Sequence, residues 1–112
     1  MYEVLISNYF AKNLKQFAKK DSKLREVLRN ALFGFNRDLA ISIGQGVYKL
    51  RLASENKGKS GGYRLYVYVV EINKILTPIA IYSKSEKENF TLDEMSRHLE
   101  RVKDELALLL RS

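Results

Sequence analysis

The chain has 112 residues, of which 46% are hydrophobic, with no cysteine and a single histidine, His98. Its 20 lysines and arginines outnumber its 13 acidic residues, which gives a net charge of +7. This composition excludes a disulfide framework, thiolate chemistry and most histidine-based sites, and no stretch approaches the ~20 apolar residues of a membrane span.

The first part of the chain predicts one strand and a pair of helices. The apolar stretch YEVLI is typical of a short first strand. Ser7 or Asn8 then caps a helix in which Phe10 and Leu14 recur at helical spacing. The polar break KKDS separates this helix from a second one, which Ser22 opens. Two helices joined by such a short break predict an antiparallel pair.

The second part predicts three consecutive strands and a closing helix. The glycines of GQG at 44–46 interrupt the chain. Thr91 and Glu94 have the spacing of a capping box at the start of the last helix. The predicted strands cover residues 47–53, 63–72 and 75–83.

These elements predict an α+β fold in the order β-α-α-β-β-β-α. It has a small antiparallel sheet, a helical pair inserted after strand one and a C-terminal helix, with the helices on one face of the sheet. We expect residues 1–112 to form one domain. MYEVLISNYF lacks the basic region and long apolar core of a signal peptide. The absence of cysteine suits a reducing cytoplasm, which is the expected location.

Alternation along the strands places basic and tyrosine side chains together on one face of the sheet. If the apolar face meets the helices, this second face is uncovered. Cations there would hold phosphates while aromatic rings stack on unpaired bases, which favours RNA. An ordinary solvated sheet face has the same composition, so that alternative stays open. The residues of this face are Lys49, Arg51, Arg64, Tyr66, Tyr82 and Lys84.

Two details qualify the predicted strands. Pro78 cannot donate a backbone hydrogen bond to a neighbouring strand, so its strand lies at an edge or carries a bulge there.

The connection 54–62 is longer than the usual 2–5 residues of a hairpin and carries Lys57 and Lys59. These lysines either bind a polyanion or keep a hairpin tip soluble. Residues 47–64 hold five cations and one acid, which favours the polyanion.

One apparent phosphate-binding motif is rejected. ASENKGKS fits a loose form of the phosphate loop, but that loop needs a following helix whose N-terminus binds phosphate. The segment that follows, GGYRLYVYVV, alternates as a strand does. No nucleotide cofactor is therefore expected.

The segments GKSGGYR and YSKSEKEN together resemble the RelE/ParE toxin superfamily, and most closely its HigB-like branch. The resemblance implies a compact antiparallel sheet packed against helices, in a bacterial or archaeal cytoplasm. It also implies a partner antitoxin with a helix-turn-helix DNA-binding domain, so that DNA is contacted only through the complex. For RelE-like members it implies mRNA cleavage on the translating ribosome, without cofactor or metal.

The resemblance also implies roles for individual residues. Lys49 and Arg51 match the paired basic residues of the second strand, and Arg64 matches the arginine that opens the third. Arg64 is predicted to clamp the transition state. Lys84 matches the basic position after the last strand.

Lys57 and Lys59 match the loop that grips the RNA backbone, with Tyr66 as a further RNA-binding residue. The family places a tyrosine shortly after the last strand, where this chain has Phe90 and Thr91. The resemblance implies an acid–base role for that phenol, and Tyr82 is the nearest substitute for it.

Such a face could cleave RNA, because RNA carries its own nucleophile, the 2′-hydroxyl next to the phosphodiester that is cut. The protein need only align it and stabilise the extra negative charge, which arginine and lysine can do. Two alternatives remain: a ParE-like topoisomerase poison with the same fold, and a passive RNA-binding module. ParE-type members generally lack the basic set, which argues against the first alternative.

Overall fold

The computed structural model describes residues 1–53, 62–87 and 89–111. The helices are α1 Asn8–Ala18, α2 Leu24–Phe33 and α3 Leu92–Leu109, with a 3₁₀ turn at Arg37–Leu39. The strands are β1 Glu3–Val4, β2 Ile41–Gly44, β3 Val47–Leu52, β4 Tyr63–Val70 and β5 Ile75–Ser83. The predicted α+β class is confirmed, with β2 as an additional strand. No helix in the described part of the chain is long and apolar enough to cross a membrane.

Local hydrogen bonds at the helix starts match the sequence at two of three positions. Ser7 caps α1, because its Oγ accepts the Phe10 N–H at 3.0 Å. Thr91 and Glu94 form the predicted capping box of α3, with bonds of 2.9 and 3.1 Å. The expectation that Ser22 opens α2 is wrong by two residues, since α2 begins at Leu24 and has no side-chain cap.

The sheet has the strand order β1-β5-β4-β3-β2, with β1 parallel to β5 and all other pairs antiparallel. The strand β2 was not predicted, although Ile41 and Ile43 alternate with polar residues as strand residues do. Gly44, Gln45 and Gly46 all have positive φ, at 93°, 58° and 78°. They turn the β2–β3 hairpin and do more than interrupt the chain.

The predicted irregularity at Pro78 is confirmed as a bulge in β5. Tyr66 of β4 pairs with Ala80 and Val67 pairs with Pro78, so Ile79 is the extra residue. An extra residue breaks the alternation of faces along a strand.

The bulge corrects the predicted facing of β5. Regular alternation along the predicted strand 75–83 would place Ile79 and Ile81 on the same face of the sheet. Leu76 and Ile81 pack in the cluster with α1 and α2, whereas Ile79 and Tyr82 pack in the cluster with α3.

Helices cover both faces of the sheet, so the expectation of helices on one face is wrong. On one side the buried apolar residues of α1 and α2 meet those of β3, β4 and β5. On the other side α3 buries four residues, each contributing roughly 1.5–3 kcal/mol relative to exposure. These four residues of α3 pack against apolar side chains of β3, β4 and β5. The second cluster contains Val47, Tyr66, Ile79, Tyr82, Met95, Leu99, Val102 and Leu106.

Candidate active site

The register of β3 and β4 brings the basic residues of the two strands together. Arg51 lies opposite Arg64, and Lys49 lies opposite Tyr66. Arg64 also lies opposite Tyr82 of β5. Opposed residues of antiparallel strands project to the same face, so Lys49, Arg51 and Arg64 share one face of the sheet.

The three cations line a single concavity of about 320 Å³, here called the basic pocket. Its other lining residues are Leu39, Ala40, Ile41, Leu50 and Asn89. Three of the four predicted sheet cations are therefore gathered in one place, and none of these lining residues is acidic.

Arg64 is the most enclosed of the three cations, with 6% of its surface exposed. In the described part of the chain, the ion pairs are Arg37–Glu71, Lys74–Glu71 and Lys87–Glu94, and Arg64 belongs to none of them. Enclosing a cationic side chain in this way, even in part, without a counter-charge among the described residues is costly. An anion that enters the basic pocket would relieve this cost, so the pocket favours anion binding.

Asn89 holds the ammonium group of Lys49, with 2.6 Å between Lys49 Nζ and Asn89 Oδ1. Asn89 lies in the segment between β5 and α3, whereas Lys49 belongs to β3. The contact therefore joins two separate parts of the chain and orients the Lys49 side chain. No role for Asn89 was predicted from the sequence. The signal was present, because Asn89 ends the YSKSEKEN motif.

The start of β4 depends on Gly62, the last glycine of the GKSGG stretch. Gly62 has φ of +113°, and a Cβ there would lie 2.6 Å from the Leu52 carbonyl oxygen. The Gly62 carbonyl in turn accepts the Lys84 N–H at 3.1 Å. Glycine therefore lets the chain close onto β3 two residues before Arg64.

Tyr66 is not available for base stacking in this structure, because only 3% of it is exposed. Its ring packs edge-on against Tyr82 and Phe90, at 5.9 and 5.0 Å between centroids. Its hydroxyl accepts the Phe90 N–H at 3.2 Å. The expectation of an uncovered face is therefore wrong at Tyr66, where α3 and the segment before it cover the sheet.

Tyr82 lies in the same aromatic cluster, 5% exposed and 4.5 Å from the Phe90 ring. It does not line the basic pocket. Its predicted part in acid–base chemistry stays a prediction.

The remaining predicted cations lie elsewhere or are not described. Lys84 follows β5 in a turn, half-buried, and does not line the basic pocket. Lys57 and Lys59 lie outside the described residues.

His98 sits at the junction of α1 and α3, away from the basic pocket. Its Nδ1 lies 2.6 Å from the Tyr9 hydroxyl, and its ring stacks on Phe90 at 4.8 Å. Desolvation by burial is the main cause that lowers the pKa of His98, with Arg97 and Lys87 acting in the same direction and Glu94 opposing. His98 is therefore neutral near pH 7. No cluster of histidine, aspartate and glutamate in the described part of the chain could hold a metal ion.

Comparison with known proteins gives a consistent result. The sequence model of one family, described as the RelE toxin of the RelE/RelB toxin–antitoxin system, matches residues 3–109. Among solved structures, a variant of the E. coli toxin RelE with two arginines replaced by alanine, in the free state, has a similar fold. The TM-score is 0.58 at 21% identity, and the match covers 90% of this chain and 97% of that chain. No curated protein sequence matches this chain.

The structural likeness confirms the predicted fold, and the sequence match confirms the predicted superfamily. The HigB-like branch stays a prediction from the two motifs. Because the family model spans nearly the whole sequence, this chain belongs to the RelE family, the toxins of toxin–antitoxin systems.

Proposed function

We propose that this toxin is an endoribonuclease that cleaves mRNA on the translating ribosome and thereby inhibits translation. One observation carries the proposal. Arg64, enclosed and without an ion pair to any described residue, lines a pocket with Lys49 and Arg51, and none of the described lining residues is acidic. Such a pocket suits a phosphodiester, whose charge increases in the transition state.

The reaction requires little covalent chemistry from the protein. The 2′ oxygen of the RNA forms a bond to phosphorus while the bond from phosphorus to the 5′ oxygen breaks. Arg64 and Arg51, opposed across β4 and β3, stabilise the additional negative charge on the phosphate oxygens. The products are a 2′,3′-cyclic phosphate and a 5′-hydroxyl.

Lys49 is the proposed proton donor to the leaving oxygen. Guanidinium groups do not deprotonate in proteins, so among the described lining residues the Lys49 ammonium is the group that can release a proton. The 2′-hydroxyl proton passes to water, and solvent returns a proton to Lys49. Asn89 orients the Lys49 ammonium throughout.

The family also suggests the molecular context. We propose that residues 1–112 act as one toxin domain in the cytoplasm, held inactive by an antitoxin that carries a helix-turn-helix DNA-binding domain. DNA would then be contacted only through the complex. The support is the family description, which pairs the RelE toxin with a RelB partner.

The proposal is tested in cells by mapping mRNA 5′ ends after induction of the wild type and of Arg64→Ala. We expect new 5′-hydroxyl ends within translated reading frames for the wild type. The variant should produce at least about 100-fold fewer of them, the usual cost of removing one transition-state donor.

Arg29→Ala is the matched control, because Arg29 is an exposed arginine on α2 that does not line the basic pocket. It should cleave as the wild type does. Arrested growth with intact mRNA would contradict the proposal and direct attention to topoisomerase-linked DNA breaks. Equal cleavage by Arg64→Ala would remove Arg64 from the site.

A further inference from the structure

The basic pocket has a second wall that is apolar. Leu39 is 85% exposed and Ile41 is 59% exposed, yet both line the pocket that Arg51 and Arg64 share. Ile41 lies directly opposite Lys49 in the β2–β3 pairing, so the two side chains lie side by side on one face. The pocket therefore has a cationic side and an apolar side.

Hydrogen bonds of the 3₁₀ turn and of the β2–β3 pairing hold this apolar wall in place. The Asn36 side chain accepts the Asp38 N–H at 2.9 Å, and the Leu39 N–H donates to the Asn36 carbonyl at 3.0 Å. Ile41 is then fixed by strand pairing with β3. A single exposed apolar side chain would need no explanation, but Leu39 and Ile41 line the same pocket and together form an exposed apolar surface beside the cations.

The two walls together fit a nucleotide better than a phosphate alone. Phosphate or polyphosphate would fill only the cationic side. A nucleotide offers a phosphate to the cations and an apolar base face to the other wall. The volume of about 320 Å³ lies at the lower end of the ~300–1,000 Å³ typical of small-molecule sites, which suits one nucleotide.

We propose that Leu39 and Ile41 contact the nucleobase next to the phosphate held by Arg51 and Arg64, and so position the RNA. This inference rests on the proposed endoribonuclease function and adds a base-contacting wall to it. Leu39 and Ile41 are positioning residues, whereas the cations act on the reacting phosphate. Recognition is by contact with the base face, so the wall should tolerate different bases.

The test compares two labelled probes by fluorescence anisotropy at fixed salt: a short single-stranded RNA and an oligomer of the same length and charge whose sugars lack bases. The double variant Leu39→Ala/Ile41→Ala should bind the RNA about tenfold more weakly, because apolar burial against the base is lost. Its affinity for the base-free oligomer should equal that of the wild type. Ile72→Ala removes an isoleucine that is 91% exposed in the β4–β5 turn, outside the basic pocket, and should change neither affinity.

Arg64→Ala separates this inference from the proposed function. It should weaken binding of both probes, since the phosphates are common to them. If Arg64→Ala weakens binding of both probes but the double variant binds RNA as tightly as the wild type does, the base-contacting wall is ruled out and the proposed nuclease function is retained. Equal losses of the double variant on both probes would also overturn it. No effect of Arg64→Ala on either probe would count against the nuclease itself.

Folding of the variants is checked by thermal unfolding before binding is measured. If the double variant unfolds early, Leu39→Ala carries the test alone, because the Leu39 side chain is 85% exposed. Leu39→Met should retain most of the RNA affinity. Loss of affinity in Leu39→Met equal to that in Leu39→Ala would contradict an apolar contact.

Discussion

At the scale of single residues, the basic pocket depends on positions that hold the cations as well as on the cations themselves. Asn89 holds Lys49, and Gly62 lets β4 begin against the end of β3. A side chain at position 62 meets two obstacles: a φ of +113°, and a Leu52 carbonyl oxygen 2.6 Å from the added Cβ. The backbone oxygen cannot move away as a side chain could.

Gly62→Ala should therefore reduce the free energy of unfolding by roughly 2–4 kcal/mol, measured by urea denaturation. Gly44→Ala is the matched control, since Gly44 also has positive φ, at 93°, but no atom within 4 Å of an added Cβ. The control should lose less, because it has the backbone strain without the collision. Equal losses in the two variants would rule out the contact with Leu52.

At the scale of elements, α1 completes the edge of β5. The strand β1 pairs with β5 only at Ile75 and Leu76. Farther along, the Asn13 side chain of α1 takes the place of a neighbouring strand. It accepts the Ile81 N–H at 2.7 Å and donates to the Ile81 carbonyl at 2.9 Å.

Asn13→Ala should destabilise the fold by about 2–4 kcal/mol, because two backbone groups of the buried Ile81 lose their partners. The Ile81 amide should also exchange with solvent faster, as measured by hydrogen exchange. Gln16→Ala, an exposed position on the same helix, should leave both quantities nearly unchanged. Unaltered exchange at Ile81 in Asn13→Ala would exclude the proposed edge contact.

At the scale of the whole molecule, a sheet between two helical layers leaves one end of one face open. The helix α3 and the segment before it bury Tyr66 and Tyr82, while the basic pocket opens next to β2. His98 of α3 connects this helix to α1 and to the segment before α3, because it contacts Tyr9 of α1 and the Phe90 ring. With its ring neutral, Nδ1 can accept the Tyr9 hydroxyl hydrogen, and protonation removes that acceptor.

The stability of the fold should consequently fall as the pH drops from 7.5 to 5. The pKa of His98 in the folded protein lies below its ordinary value of 6.5, so the unfolded chain binds the proton more tightly. The stabilisation is present above pH 6.5 and is lost as the pH falls toward the folded pKa.

His98 is the only histidine of the chain, so His98→Gln should flatten the dependence of the unfolding midpoint on pH in this window. Glu94, whose pKa is lowered to about 2, changes stability only at lower pH. A slope that persists in His98→Gln would assign the effect to another group.

The helices α1 to α3, the strands β1 and β3 to β5, and the shared face of Lys49, Arg51 and Arg64 could all be predicted from the sequence. Hydrophobic period and strand alternation are local properties, and both are readable along the chain. Strand alternation predicts which residues share a face of the sheet, but it does not predict which other element covers that face. The burial of Tyr66 under α3 could not be read in this way, because it depends on a contact between segments distant in sequence. The pocket likewise required the fold, since Leu39 and Ile41 meet Arg64 and Asn89 there only after the chain has folded.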